Sequence, residues 1–221
     1  MELNITKNFK LSQGEADKIL RIAYLKGYFQ KCGAEHLFPM VTQALCFRRK
    51  FFDEFFSETP CEENGFKGFD YEKLCAMVLF FANKSTELLK TKLMKLLNYS
   101  DMIFYKENGI SISGLRYAHL PYGPVPENFD MLFGRMAADH LAHIEVAYDN
   151  GYEKHQVIPE CDMPKGVLSD EEKNVLERIY LKFKDFGSVD ISNYSHKEKG
   201  YIATKQGEII SYSYAKDICL N

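Results

Sequence analysis

Residues 113–129, SGLRYAHLPYGPVPENF, combine side chains suited to binding with residues that stiffen or turn the backbone. The side chains suited to binding are Arg116, Tyr117 and Tyr122. The residues that shape the backbone are Gly114, Pro121, Gly123, Pro124 and Pro126. Proline fixes φ and glycine permits tight turns, so the loop is predicted to be rigid. Rigid aromatic residues and arginine dominate protein interfaces because they lose little entropy on docking. The segment therefore predicts either a partner-binding loop or a proline-braced connection that only fills the core.

A stripe of polar residues precedes this loop on a predicted helix. It consists of Lys92, Lys95, Asn98 and Asp101. Residues three apart share a side of a helix, so the stripe lies opposite the neighbouring leucines. It is either a solvated face or a partner-facing surface. In the second case Lys92, Lys95 and Asp101 extend the binding surface of the rigid loop.

Motifs for metal binding and catalysis are weak or missing in the sequence. His140 and His143 lie three apart with His119 upstream, but no further ligand stands at a diagnostic offset. No Gly-x-Ser-x-Gly or phosphate-binding glycine motif occurs. The sequence therefore predicts a protein that is not an enzyme and that uses no metal and no cofactor.

Composition and charge restrict the class of partner and the compartment. The net charge of −3 supplies no general attraction to nucleic acid. No segment approaches the ~18 apolar residues that a membrane span needs, and the first ten residues do not resemble a signal peptide. The 6 cysteines are scattered without a Cys-x-x-Cys pair, which is typical of free thiols in a reducing compartment. We expect a cytoplasmic protein.

Apolar periodicity predicts a mainly α, α+β fold, in which a compact helical domain carries a small antiparallel hairpin or sheet. Asp70 is predicted to cap a nearly all-apolar helix at the centre of the core. Thr91 is predicted to cap a longer helix that ends at Asn108 and Gly109.

The second half of the sequence contains further signals for strands and helix starts. The alternating residues 110–114 predict a short strand, and residues 143–158 predict a hairpin around an Asn-Gly turn. Pro126 is predicted to open a helix, and Ser169 with Glu172 forms a predicted capping box for another. Gly187 is predicted to stop that last helix, and Ser188 to cap a short turn after it.

Residues 59–70, TPCEENGFKGFD, contain the turn-forming and acidic residues of a domain boundary. We expect an N-terminal helical extension over residues 1–65 and the main domain over residues 66–221. Ser12 is predicted to begin the first helix of the extension, and a second helix over residues 35–56 is rich in phenylalanine. That helix is expected either to pack on the main domain or to form a homodimer interface.

Several blocks of the sequence resemble the SocA-like antitoxin family, also called the Panacea domain. They are GFDYEKLCAMVLFFAN, the continuous block from TKLMKLLNYSD to GLRYAHLPYGPVPENFDMLF, LSDEEKNVLERIYLKFKDF, and SHKEKGY with the later GEIISYSYA. The resemblance implies a mainly helical domain that neutralises a cognate toxin by direct binding. In one branch of the family it implies an adaptor that delivers the toxin to a protease.

Longer relatives place a helix-turn-helix DNA-binding domain before this unit, and the present sequence has no such domain. Direct nucleic-acid binding is therefore not expected from this chain. The alternative function is a partner- or effector-binding module of a helix-turn-helix transcription regulator.

Overall fold

Short helices and two hairpins surround a pair of buried helices in the part of the chain that the structure describes. The computed structural model describes residues 59–149 and 151–220, all within one compact unit, Glu58–Asn221. The helices predicted from Ser12 and over residues 35–56 lie outside the described residues. The predicted boundary between residues 1–65 and 66–221 stays a prediction.

Helix α1 (Tyr71–Lys84) begins as predicted, because the Asp70 carboxylate accepts a hydrogen bond from the Lys73 backbone NH at 3.0 Å. Every residue from Leu74 to Ala82 is buried. Helix α1 needs no polar face over residues 74–82, because this part of the helix lies inside the domain.

Helix α2 (Lys90–Asn108) is the central element, and all residues from Leu93 to Phe104 are buried. It ends as predicted at Gly109, which adopts a left-handed conformation with φ 75°. The predicted cap at Thr91 is wrong. The N-cap position is two residues earlier, at Leu89, because the Leu89 carbonyl already accepts the Leu93 NH.

The predicted strand over residues 110–114 is also wrong. This segment is irregular, and the backbone NH groups of Ile112 and Ser113 donate to the Asp101 carboxylate instead of to a neighbouring strand. The first sheet is formed further along the chain by β1 (Tyr117–Leu120) and β2 (Gly123–Pro126). These strands are antiparallel, with Leu120 opposite Gly123 at the turn.

Helix α3 (Phe129–Ala138) follows the first hairpin. Pro126 does not open it, because Pro126 is the last residue of β2 and pairs with Tyr117. Asn128 precedes α3 in a left-handed conformation with φ 54°, which turns the chain from the strand into the helix.

The second sheet confirms the predicted hairpin, with β3 (Ala142–Asp149) antiparallel to β4 (Tyr152–Pro159). Gly151 of the predicted Asn-Gly turn has the expected positive φ of 84°. Asn150 lies outside the described residues. Near its base, β4 also contacts the end of the α1–α2 connection, because the Val157 NH donates to the Leu88 carbonyl at 2.8 Å.

Helix α4 (Asp170–Phe183) has the predicted capping box, in which Ser169 and Glu172 each accept a backbone hydrogen bond from the other. It packs against α2 through an apolar stripe at helical spacing. The stripe consists of Val175, Leu176, Ile179 and Phe183.

The chain after α4 forms two short helices, α5 (Ser188–Ser195) and α6 (Lys199–Ile202). Gly187 and not Ser188 is the N-cap of α5, and α4 ends four residues before Gly187. Two 3-10 helices, Glu62–Asn64 and Tyr212–Asp217, lie at either end of the described region. Mainly helical content with two small antiparallel sheets confirms the predicted α+β class.

Candidate partner-binding surface

The turn of the β1–β2 hairpin places an aromatic side chain in solvent. Pro121 and Tyr122 form this turn, and both are exposed together with Leu120. Tyr122 is 73% exposed although its neighbours in the strands are largely buried. We call Leu120, Pro121 and Tyr122 the hairpin-tip surface.

Both strands of this hairpin are anchored to other elements. Residues 207–210 run along the outer edge of β1, where His119 NH donates to the Glu208 carbonyl at 2.9 Å. Ile210 NH donates in turn to the Tyr117 carbonyl at 2.8 Å. Strand β2 carries Pro124 and Pro126, both buried, and proline suits this strand because it lacks the NH that a further strand partner would need. Strand β2 packs against α2 and α5, so the hairpin is held on both sides and its turn is its most exposed part.

Asp101 anchors the base of the hairpin and does not lie on a surface. It is fully buried, and its carboxylate accepts hydrogen bonds from the NH groups of Ile112 and Ser113 and from the hydroxyls of Ser113 and Tyr117. Burial raises the pKa of the Asp101 carboxyl, and the four hydrogen bonds oppose that rise. The prediction that Asp101 faces a partner is corrected, because these donors occupy the carboxylate.

Tyr117 is likewise buried completely. Its hydroxyl donates to Asp101 Oδ2 at 2.7 Å, and its ring packs near Tyr212, with ring centres 6.4 Å apart. Tyr117 therefore holds the hairpin on the core, and its predicted exposure to a partner is corrected.

Lys95 lies directly beneath strand β2. Gly123 has φ 101°, and a Cβ atom at this position would lie 2.7 Å from Lys95 Cε and 2.5 Å from Ser195 Oγ. Glycine is therefore required here for both conformation and space. The predicted proximity of helix and loop is confirmed, but Lys95 is only 1% exposed, so its predicted position on an open stripe is corrected.

The remaining predicted residues are partly exposed or lie in close backbone contacts. Lys92 is half-buried, and its Nζ donates to the Lys184 carbonyl at 2.9 Å. Arg116 is half-buried between Glu63, at 2.7 Å, and Glu127, at 3.3 Å. Gly114, with φ 74°, allows close approach of Gly68, whose carbonyl oxygen would lie 2.5 Å from a Cβ. Among the predicted binding residues, Tyr122 presents the largest exposed side chain.

A comparison with protein families finds a match for the region that contains this hairpin. Residues 93–201 match the family described as antitoxin SocA-like, Panacea domain. This match identifies residues 93–201 as a SocA-like Panacea domain. The comparisons with curated proteins and with solved structures find no match. The matched residues run from the buried part of α2 to α6, so the β1–β2 hairpin and its anchor Asp101 lie inside the Panacea domain, whereas residues 207–210 follow it.

The Panacea domain also contains a ring cluster beside the hairpin that the sequence analysis missed. The Tyr201 ring stacks against His119 at 3.7 Å and against His196 at 4.5 Å, measured between ring centres. The Tyr201 hydroxyl donates to the Leu120 carbonyl at 2.9 Å, which ties α6 to the hairpin tip. His119 is far in sequence from His196 and Tyr201, so no spacing signal could have joined all three.

Charge and burial act together on His196. Burial lowers the pKa of His196, and the nearby Lys95 and His119 lower it further. Burial also lowers the pKa of Lys95 to about 8. The interior beside the hairpin is thus an environment that disfavours positive charge.

His140 and His143 meet one carboxylate in the Panacea domain. His143 Nδ1 lies 2.8 Å from Glu160 Oε1, and His140 Nδ1 lies 3.4 Å from Glu160 Oε2. Within residues 59–149 and 151–220, no group of three or more His, Cys, Asp or Glu side chains is arranged to hold a metal ion. No helix in this same region is long and apolar enough to cross a bilayer.

Proposed function

We propose that this protein neutralises a cognate toxin by binding it directly through the hairpin-tip surface, without catalysing a reaction. The match of residues 93–201 to an antitoxin family supports a toxin as the class of partner. The observation that carries the proposal is the contrast within one hairpin. Tyr122 is exposed while the residues beneath it are anchored to the core.

The anchoring of the hairpin supports binding because it lowers the entropic cost of association. A loop that is already held in one shape has little conformational freedom to lose when a partner docks. The prolines, the contacts with residues 207–210 and the hydrogen bond from Tyr201 to Leu120 restrict the hairpin before the partner arrives. A tyrosine on such a support is a residue type that often contributes strongly to interfaces.

We expect the protein to act in the cytoplasm by holding the toxin in an inactive complex. Delivery of the bound toxin to a protease would be a further step of the same mechanism. Toxin half-life in cells that lack individual cytoplasmic proteases distinguishes the two. Sequestration leaves the half-life unchanged in every such strain, whereas delivery lengthens it in the strain that lacks the receiving protease.

The test uses co-expression of the protein with the toxin-like product of a neighbouring gene. Tyr122→Ala is expected to weaken toxin binding by about 2 kcal/mol, roughly 30-fold, and to reduce the rescue of growth. Tyr148→Ala is the matched control, since Tyr148 is 75% exposed near the turn of the other hairpin.

Three outcomes separate the possibilities. Weakened binding by Tyr122→Ala alone supports the hairpin-tip surface. Equal binding by both folded variants places the contact elsewhere on the protein. The proposed function itself is contradicted if the parent protein neither rescues growth nor binds the toxin, and instead turns over a small substrate.

A further inference from the structure

Three buried nitrogen atoms beside the β1–β2 hairpin have no hydrogen-bond partner among the residues that the structure describes. They are Lys95 Nζ, Asn98 Nδ2 and His196 Nε2. An unpaired buried polar group costs about 1–3 kcal/mol, and an unpaired buried charge costs more. Several such groups close together indicate a binding site for an acceptor.

The side chains of Lys95, Asn98 and His196 lie close to one another beside the β1–β2 hairpin. Lys95 and Asn98 lie one turn apart on the same side of α2. The end of the Lys95 side chain reaches Gly123 and Ser195, and Ser195 directly precedes His196. The positive charge of Lys95 is one of the causes that lower the pKa of His196, in agreement with this placement.

The region has donors but lacks a negative group. In the described part of the chain, Lys95 takes part in no ion pair. No carboxylate oxygen there lies within 4.0 Å of Lys95 Nζ. The nearby hydroxyl of Ser195 already donates to the Ser192 carbonyl at 2.8 Å. Glu198 accepts a hydrogen bond from Tyr99 at 3.2 Å.

We propose that Lys95, Asn98 and His196 form a binding site for a carboxylate group. A carboxylate brings one negative charge for one ammonium group, and its two oxygen atoms can accept from all three donors when the neutral His196 ring carries its proton on Nε2. A single water molecule accepts only two hydrogen bonds and leaves the ammonium charge without a counter-ion. The rings of His196 and Tyr201 stack on each other, and both residues are partly exposed.

Two sources can supply the carboxylate. One is a free small carboxylate ion. The other is an acidic side chain or the C-terminus of the partner, and this second source rests on the proposed function, because the site lies beneath the hairpin-tip surface.

The first experiment needs no toxin. Urea unfolding of the purified protein is measured in sodium formate and in sodium chloride at equal ionic strength. A dissociation constant of about 10 mM would raise the folding equilibrium constant about tenfold at 100 mM formate relative to chloride. Lys95→Met is expected to abolish this difference. Lys92→Met is the matched control, since Lys92 lies one turn earlier on α2 and already donates to Lys184, and it is expected to preserve the difference.

The second experiment measures toxin affinity for the same variants. A loss of at least tenfold for Lys95→Met but not for Lys92→Met assigns the carboxylate to the partner, and unchanged affinity together with a formate effect assigns it to a free ion. The proposal is overturned if formate and chloride act alike on the parent protein and Lys95→Met binds toxin normally. It is also overturned if formate stabilises Lys95→Met as much as the parent. Because the formate measurement is independent of any toxin, its result stands even if toxin binding fails.

Discussion

The two hairpins of the described region differ in what holds their strands in place. Strands β1 and β2 have 4 residues each and are anchored by residues 207–210, by α2 and by the buried Asp101. Strands β3 and β4 have 8 residues each and end in exposed side chains that include Tyr148 and Tyr152. The first hairpin therefore depends on distant parts of the chain, whereas the outer half of the second depends mainly on its own strand pairing.

The largest expected effect concerns the anchor of the first hairpin. Asp101→Ala leaves the donors of Ile112, Ser113 and Tyr117 buried without an acceptor and is expected to destabilise the protein by about 4 kcal/mol in urea unfolding. The control is Glu160→Ala near the base of the second hairpin, where the carboxylate contacts exposed histidines, and its effect is expected to be far smaller. Similar losses for the two variants would show that the hairpins do not differ in anchoring.

A smaller effect is expected at the glycine that contacts Lys95. Gly123→Ala places a Cβ atom against Ser195 and Lys95 in a left-handed conformation, and we expect a loss of about 3 kcal/mol. Gly151→Ala in the second hairpin has a similar positive φ but no atom within 4 Å of the new Cβ, so only the conformational cost of about 1 kcal/mol is expected. Thermal or urea unfolding of both variants measures the difference. Equal losses would mean that space at Gly123 is not limiting.

The buried lysine beneath the first hairpin predicts a pH-dependent effect. Burial lowers the pKa of Lys95 from 10.5 to about 8, so between these pH values the unfolded state binds more protons and the parent protein becomes more stable as pH rises. Lys95→Met removes this dependence. Without a bound anion it is expected to stabilise the protein at pH 7 by up to about 3 kcal/mol, and the gain should vanish above pH 10.5.

Urea unfolding across this pH range provides the measurement. Lys154→Met is the control in the second hairpin, since Lys154 is partly exposed near Glu87 and exposed ion pairs contribute only about 0–1 kcal/mol. A destabilised Lys95→Met at pH 7 in the absence of carboxylates would contradict the unpaired state of Lys95.

The smallest effect on stability is expected at the two exposed tyrosines. Tyr122→Ala and Tyr148→Ala should each change the free energy of unfolding by less than about 0.5 kcal/mol, since neither ring is packed in the core. Circular dichroism melts of both variants check this. A large loss for Tyr122→Ala would mean that its ring stabilises the hairpin, and a loss of toxin binding could then not be assigned to a direct contact.

The sequence correctly predicted those helices and strands whose limits are set by residues close to them in the chain. Asp70 and Ser169 cap their helices because each side chain reaches a backbone NH three residues away. The alternation over residues 143–158 predicted the second hairpin for the same reason, since its strands pair with each other across a short turn.

The same kind of signal failed over residues 110–114. Alternation of isoleucine and serine imitates a strand, but Ser111 donates to the Asn64 carbonyl and Ser113 to Asp101, so the serines are buried hydrogen-bonding groups. The first hairpin was missed because its strands contain proline and glycine and are supported by residues about 90 positions later in the chain.

The sequence by itself determined the α+β class, the presence of the Panacea domain, and the helix caps of α1 and α4. Only the tertiary structure decided which polar residues are exposed. The spacing of Lys95, Asn98 and Asp101 shows that they share one side of α2, but it contains no information about what covers that side. Burial depends on elements that are distant in sequence, and here β2, α5 and residues 111–117 cover the stripe and convert its expected surface into the interior of the domain.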